Sequence, residues 1–305
     1  MLCSLLSILG IFLLCKIVYR VGYLAYSQLC SEKPLLQRYS VAGNKPWVVV
    51  TGSTSGIGWA LALQFAKRGF NLVLHGRSED KLKGKLKTVQ DLYPKVEVKL
   101  LVRDLDKCAE QGFFGGIKKE LQGLDIAVLV NNAGVVGTIL GNDKPELNHQ
   151  CVLVNCMAQS MMTHYFVNEL NSRKARSAVI DVSSIASMAP TGIYPIYSAS
   201  KAFNRFLTLG TALSGRFRNI DWLSLTPSRV DTPILAGLKK SRIFTTADET
   251  AEGTLRGLGN VTQTYGTWKH IVHGVVFEGL FCNFPQKIAE IGHLIFEKLT
   301  AKPQN

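Results

Sequence analysis

The sequence predicts an α/β fold, a doubly wound parallel sheet with an N-terminal membrane-anchor helix. Three observations lead to it. From residue 47 onward, short apolar runs alternate with segments whose apolar positions recur at helical spacing. The first of those runs ends in a glycine-rich turn that opens a helix. Ahead of them all, the first fifteen residues, MLCSLLSILGIFLLC, contain no charged side chain.

The N-terminal segment comes first in the chain. A bilayer-spanning helix needs roughly 20 mostly apolar residues. Residues 2–24 meet that limit, with Lys16 and Arg20 near one end and able to snorkel. A cleaved signal peptide would show a basic leading region and a small-residue cleavage site, and neither is present. Lys16, Arg20, Lys33 and Arg38 fall toward or beyond the C-terminal end of the span, and only the α-amino group precedes it. The positive-inside rule then places the body of the protein in the cytosol. The expectation is a signal anchor in the endoplasmic reticulum membrane over residues 1–30, a linker over 31–45, and a catalytic domain over 46–300.

Within that domain WVVV (47–50) reads as the first strand and ALALQFAKRG as the helix after the glycine turn. NLVLHG (71–76) is the second strand. A Lys-rich polar helix over 79–92, a strand over 96–102 and a helix near 107–122 follow. Further strands are expected at 125–134, 177–184 and 220–227, with long helical stretches between them.

Composition narrows the function. At 47% hydrophobic residues in 305, the chain can bury a sizeable core. Its 35 Lys and Arg against 22 Asp and Glu are scattered, with no nucleic-acid motif, which argues against DNA or RNA as a partner. A net charge of +13 suits an anionic membrane face and phosphate-bearing ligands. Seven cysteines, odd in number and without a CxxC pair, point to free thiols rather than disulfides or zinc. His270 and His273 have no acidic or Cys partner at ligand spacing, so no metal site is expected. They read as ordinary surface or cleft residues.

Thr51-Gly52-Ser53-Thr54-Ser55-Gly56-Ile57-Gly58 stands where the first strand becomes a helix. Gly52 allows the tight turn, Gly56 lets backbone approach a pyrophosphate, and Gly58 allows close helix–strand packing. The helix N-terminus offers free N–H groups to phosphates. The second strand ends His75-Gly76-Arg77, without the carboxylate that would bind the ribose 2′-hydroxyl of NAD and with a guanidinium able to hold a 2′-phosphate. NADP(H) is therefore the expected cofactor. Tyr197 and Lys201, four residues apart, share one face of a helix. An ammonium beside the phenol is expected to lower its pKa toward working pH. Ser184, at the end of a strand, can steady the charge developing on a reacting oxygen.

With these residues in view, the sequence after residue 45 resembles the classical short-chain dehydrogenase/reductase family. The matching elements run in order: the turn at 51–58, Asp104-Leu105, Asn131-Asn132-Ala133-Gly134, Asn155, Ser184, Tyr197-Ser198-Ala199-Ser200-Lys201, and Pro227 with Val230 and Thr232. The resemblance implies a Rossmann-type sheet in which Asp104 and Asn132 contact the adenosine part of the cofactor and Val230 and Thr232 its carboxamide. It implies that Asn155 completes a catalytic tetrad by holding a water that relays protons to Lys201, and that Lys201 also binds the nicotinamide ribose. The family's usual Pro-Gly is Pro227-Ser228 here. Within the family the chain resembles the 17β-hydroxysteroid dehydrogenase and very-long-chain 3-oxoacyl-CoA reductase branch, through its anchor, RGFNLVLHGRSEDKL (68–82), Leu225-Thr226-Pro227 and Thr264-Tyr265-Gly266-Trp268-His270.

The expected activity is reversible hydride transfer between a nicotinamide and the carbonyl of a lipophilic small molecule, a 3-oxoacyl thioester, a steroid or a similar lipid. A 3-ketosphinganine-type reductase and a specialised-metabolite ketoreductase are alternatives, as is a non-catalytic NADPH-binding membrane scaffold. The intact tetrad argues against the last. The apolar tail at 271–296 fits a pocket wall or a second membrane contact, and the resemblance allows a homodimer.

Overall fold

A computed structural model of the chain describes residues 2–191, 194–235 and 244–283. Its strands are β1 (Trp47–Val50), β2 (Asn71–Gly76), β3 (Val98–Val102), β4 (Ile126–Asn131), β5 (Ser177–Val182), β6 (Ile220–Leu225) and the two-residue β7 (Gln263–Thr264). All pairs are parallel, in the order β3-β2-β1-β4-β5-β6-β7. The helices are α1 (Leu2–Leu29), α2 (Leu35–Tyr39), α3 (Gly56–Lys67), α4 (Glu79–Leu92), α5 (Phe113–Glu120), α6 (Pro145–Val152), α7 (Gln159–Ser172), α8 (Pro195–Leu213), α9 (Ala247–Gly257) and α10 (Trp268–Asn283). The doubly wound parallel sheet predicted from the sequence is the fold observed.

β2, β4 and β5 are buried along their whole length because helices cover both faces. Alternate side chains of β1 go to opposite layers. Val48 and Val50 join Leu72, Leu74, Val128 and Val130 beneath Leu61 and Phe65 of α3. Val49 joins Val73, Leu129 and Val179 beneath Met162 and Phe166 of α7. Because β1 pairs with β2 on one side and β4 on the other, the winding reverses between β1 and β4. That reversal opens a crevice beyond the carboxyl ends of the strands, where ligands of open α/β sheets bind.

The expected apolar N-terminal helix is present, but it and the segment after it join the body more closely than an anchor and linker over 1–30 and 31–45 imply. α1 does carry an exposed apolar surface, from Ile8 through Val21, and Ser7–Leu29 is long and apolar enough to cross a membrane. Its last turns, however, are built into the body. Leu24 and Ser27 are buried, Tyr23 Oη lies 3.1 Å from Thr262 Oγ1, and Gln28 Nε2 donates to Thr264 Oγ1 at 3.2 Å. Ahead of those turns, residues 7–19 are exposed along the helix.

Residues 31–45 are not a free linker. Leu35 and Tyr39 are buried. Arg38 grips Asp221 with two nitrogens at 2.7 and 3.0 Å, and Tyr39 Oη donates to the same carboxylate at 2.9 Å. Burial alone would raise the Asp221 carboxyl, but hydrogen bonds from Arg38 and Arg176 hold it below its ordinary value. Of the apolar tail at 271–296, α10 carries the described part, and residues 284–296 lie outside the described residues.

Candidate active site

The glycine turn follows β1 directly. Gly52 and Gly56 have φ of 66° and 57°, a region that side-chain-bearing residues avoid. At Gly58 the reason is packing, since a Cβ there would fall 2.3 Å from Asn132 Nδ2. Ser55, at the N-cap of α3, makes no side-chain cap, so the first N–H groups of the helix stay directed at the crevice. The turn is fastened on both sides. Thr51 Oγ1 accepts from the N–H groups of Asn132 and Ala133, and Asn132 Nδ2 donates to Thr51 O and Gly52 O. Asn132 thus reaches the site, but its amide nitrogen is committed to the turn rather than free for an adenosine.

On the other side the Gly52 N–H donates to His75 Nδ1 at 3.2 Å. Burial pushes the His75 imidazole down to about 4, so the ring is neutral near pH 7 and can accept this bond. Sequence reasoning used His75 only as a marker of strand end. Arg77 follows β2 as an exposed residue at the same sheet edge. Asp104 follows β3 and accepts the Asp106 N–H on Oδ1 at 3.2 Å. Both therefore stand at the sheet edge beside the turn's end of the crevice.

Asn155, Ser184, Tyr197 and Lys201 converge at the neighbouring strand ends. Asn155 lies in a π-helical turn, Leu153–Ala158, between α6 and α7, an irregularity frequent at functional sites. It is fully buried. Its Oδ1 accepts the Val135 N–H and its Nδ2 donates to Val135 O, both at 2.9 Å, and Nδ2 also reaches Ser200 Oγ at 2.9 Å. In this geometry the Asn155 side chain pins the loop after β4 to α8. That loop runs close to Lys201, because a Cβ on Gly134 would sit 3.1 Å from Lys201 Nζ. Ser184 follows β5, and its hydroxyl accepts the Ala186 N–H at 3.2 Å and lies near enough to the Tyr197 phenol to favour its ionised form.

The acid–base expectation needs a correction. Burial raises the Tyr197 phenol above its ordinary value, opposed by the nearby Ser184 hydroxyl. The Lys201 ammonium does not overcome that rise, for a geometric reason. Lys201 Nζ donates to Val182 O at 2.9 Å and lies 5.8 Å from the centre of the Tyr197 ring. The lysine is itself only 4% exposed, and loss of water brings its pKa down to about 8.

Behind the tetrad lies a carboxylate that sequence reasoning missed. The buried face of α8 is entirely polar: Ser198, Ser200, Lys201, Asn204 and Thr208. It faces Asp181 of β5, which is fully buried and accepts from Asn131 Nδ2 at 2.8 Å and Thr208 Oγ1 at 2.5 Å. Burial pushes Asp181 from 3.8 up to about 6 despite these bonds. The folded chain therefore takes up a proton between about pH 4 and 6, and stability falls as pH rises through that window. Asp181→Asn keeps an acceptor for Asn131 and supplies a donor that Thr208 Oγ1 can accept. It should stabilise the protein by on the order of 3 kcal/mol at pH 7. Thermal unfolding in detergent should show that gain shrinking to nothing below about pH 4. A gain that does not depend on pH would contradict the assignment.

The loop after β6 closes the crevice. Thr232 lies over the glycine turn, 3.0 Å from where a Cβ on Gly56 would be. Val230 is buried and bridges Thr245. The bonds of that bridge run from Asp231 N to Thr245 O and from Thr245 N to Arg229 O, so the N–H and C=O of Val230 itself are not used in it. The two histidines that read as ordinary residues hold this loop. His270 is fully buried, with Nε2 3.1 Å from Thr245 Oγ1 and 3.3 Å from Arg229 O. His273 Nδ1 is 2.5 Å from Ser228 Oγ, so the serine that replaces the usual glycine ties the loop to α10.

Comparison with known proteins agrees with this geometry. Residues 46–242 match the family described as short chain dehydrogenase. The chain is similar to hydroxysteroid dehydrogenase-like protein 1 of Gallus gallus, 32% identical over 263 residues that cover 84% of this chain and 77% of the relative. It is similar to very-long-chain 3-oxoacyl-CoA reductase of Anas platyrhynchos, 32% identical over 236 residues that cover 76% and 74%. Among solved structures, a short-chain dehydrogenase from Sphingobium yanoikuyae in complex with NADPH aligns with a TM-score of 0.62 at 26% identity, covering 68% of this chain and 82% of the other.

Proposed function

The chain belongs to the short-chain dehydrogenase family, and from that premise we propose that it interconverts a ketone and a secondary alcohol on a lipophilic substrate, using NADP(H). The observation that carries this reading is the convergence of Ser184, Tyr197 and Lys201 at the mouth of a crevice whose other half is an uncapped helix N-terminus. The donor set fits the dinucleotide phosphate. The N–H groups of Gly56, Ile57 and Gly58 would hold the pyrophosphate, Arg77 the 2′-phosphate, Asp104 the adenosine, and Lys201 with the Val230–Thr232 loop the nicotinamide end. When bound, the cofactor supplies or accepts the hydride.

The protein's own part is electrostatic and protic. Ser184 holds the substrate oxygen against Tyr197. A phenol kept protonated by burial is poised to give its proton to that oxygen in the reductive direction. Lys201, near pKa 8, supplies the positive charge that limits the cost of the phenolate left behind. The lipophilic substrate, a 3-oxoacyl thioester or a steroid, is supported by the named relatives and by α1, read as a signal anchor with the catalytic body in the cytosol.

The test is NADPH oxidation by detergent-purified protein offered long-chain 3-oxoacyl-CoA, ketosteroid and 3-ketosphinganine. At least one should be reduced at a rate well above background; no ketone-dependent oxidation with any of them would favour a non-catalytic scaffold. Cofactor choice is tested separately. NADPH should bind far better than NADH, and Arg77→Asp should weaken NADPH by roughly ten- to a hundredfold, the worth of one charge-assisted hydrogen bond. Equal affinity of the unmodified protein for both cofactors would sink the Arg77 assignment.

A further inference from the structure

α10 has two unlike faces. Its inner face carries His270, Ile271 and Gly274, and Gly274 is packed so closely on the Tyr265 ring that a Cβ would meet it at 2.4 Å. Its outer face carries Trp268, Val272 and Val276, which are 66%, 57% and 52% exposed. These positions are four residues apart, so they form one continuous stripe along the helix. Every exposed residue on the described part of α10 from 268 to 277 is apolar. A helix at a water-facing surface normally shows charged or polar residues there, so a stripe of this kind marks a contact surface.

The neighbouring element indicates what covers it. α10 packs against the root of α1 through a cluster of Leu24, Ile271 and Tyr265, joined by Tyr23, Val275 and Met188. The apolar surface of α1 thus emerges from the body beside α10. Trp268, which opens the stripe, is the residue type enriched at membrane–water interfaces. The net charge of +13 favours an anionic lipid surface.

We propose that the Trp268–Val272–Val276 face of α10 lies in the interfacial layer of the same bilayer that α1 enters. This rests on the reading of α1 as a membrane span. The catalytic centre then sits directly above the lipid. Met188, four residues past Ser184, belongs to the shared cluster, and His273 on α10 bonds Ser228 of the loop over the crevice. A lipophilic ketone would pass from the bilayer to Tyr197 across α10 and Met188 without crossing water.

Tryptophan quenching by brominated lipid in the full-length chain tests this. The chain has four tryptophans, Trp47, Trp59, Trp222 and Trp268, and none in α1. Reconstituted into phosphatidylcholine and phosphatidylserine vesicles with brominated acyl chains, the protein should lose part of its tryptophan emission. Trp268→Phe should abolish at least half of that quenching, and Val272→Asp with Val276→Asp should reduce it while leaving turnover of a water-soluble ketone unchanged. Quenching that survives Trp268→Phe intact, or no quenching at all, overturns the proposal. Alkaline carbonate extraction reads α1 independently. Protein retained in the membrane but unquenched at Trp268 keeps the anchor and discards the α10 contact. Protein released by carbonate yet quenched through Trp268 discards the span and keeps the contact.

Discussion

Tyr197→Phe should lower ketone reduction by roughly 10²- to 10⁴-fold, the usual worth of a positioned proton donor, while the NADPH dissociation constant stays within about twofold. The phenol hydroxyl is the only atom removed, and the partly buried ring remains to fill its place on α8. The hydroxyl lies near that of Ser184, so a substrate oxygen held by the serine would have the tyrosine proton within reach. Stopped-flow or steady-state NADPH oxidation, together with cofactor fluorescence titration, measures both quantities. If more than a few per cent of activity survives, another residue gives the proton, and Tyr194 in the same segment is the first to examine.

Lys201→Ala should fail differently, losing roughly 10²-fold or more in turnover and also roughly tenfold or more in NADPH affinity. The ammonium stands where the Gly134 loop, the Val182 carbonyl and the Tyr197 ring meet, so its removal takes away both a charge beside the phenolate and a donor toward the nicotinamide end. The sign of the pH effect follows from its pKa of about 8. The charged form is present below that value and lost above it, whereas Tyr197 keeps its proton because its own pKa is raised. Reduction by the unmodified protein should therefore decline as pH rises through about 8. The residual activity of Lys201→Ala should lack that limb. A variant with normal cofactor affinity and an unchanged pH profile would remove Lys201 from the site.

The two variants separate the roles that spacing alone had merged. From the sequence, Lys201 is a cation one helical turn from Tyr197 that ought to lower the phenol's pKa. The structure shows the phenol raised instead, because desolvation depends on everything packed around the hydroxyl and Lys201 Nζ is turned to Val182 O. Proximity along a helix was legible; the direction of the ammonium and the dielectric around the phenol were not.

What the sequence by itself determined were the features with a local cause. The glycine turn at 51–58, the alternation of buried strands and amphipathic helices, the Tyr197–Lys201 spacing and the apolar run of α1 are each written within a short stretch of chain. The tertiary structure alone decided the rest. β7 is two residues that become a strand only because Ser224 and Leu225 of β6 pair with them. α2 lies in a segment that reads as a linker until Asp221, some 180 residues away, gathers Arg38 and Tyr39. His75, Asp181 and His270 look unremarkable in the sequence, and they matter because each is buried against a partner that the fold brings from elsewhere: Gly52, Asn131 and Thr208, and Thr245. Polar groups removed from water must find partners inside, and which partners are within reach is a property of the packed chain, not of any short stretch of it.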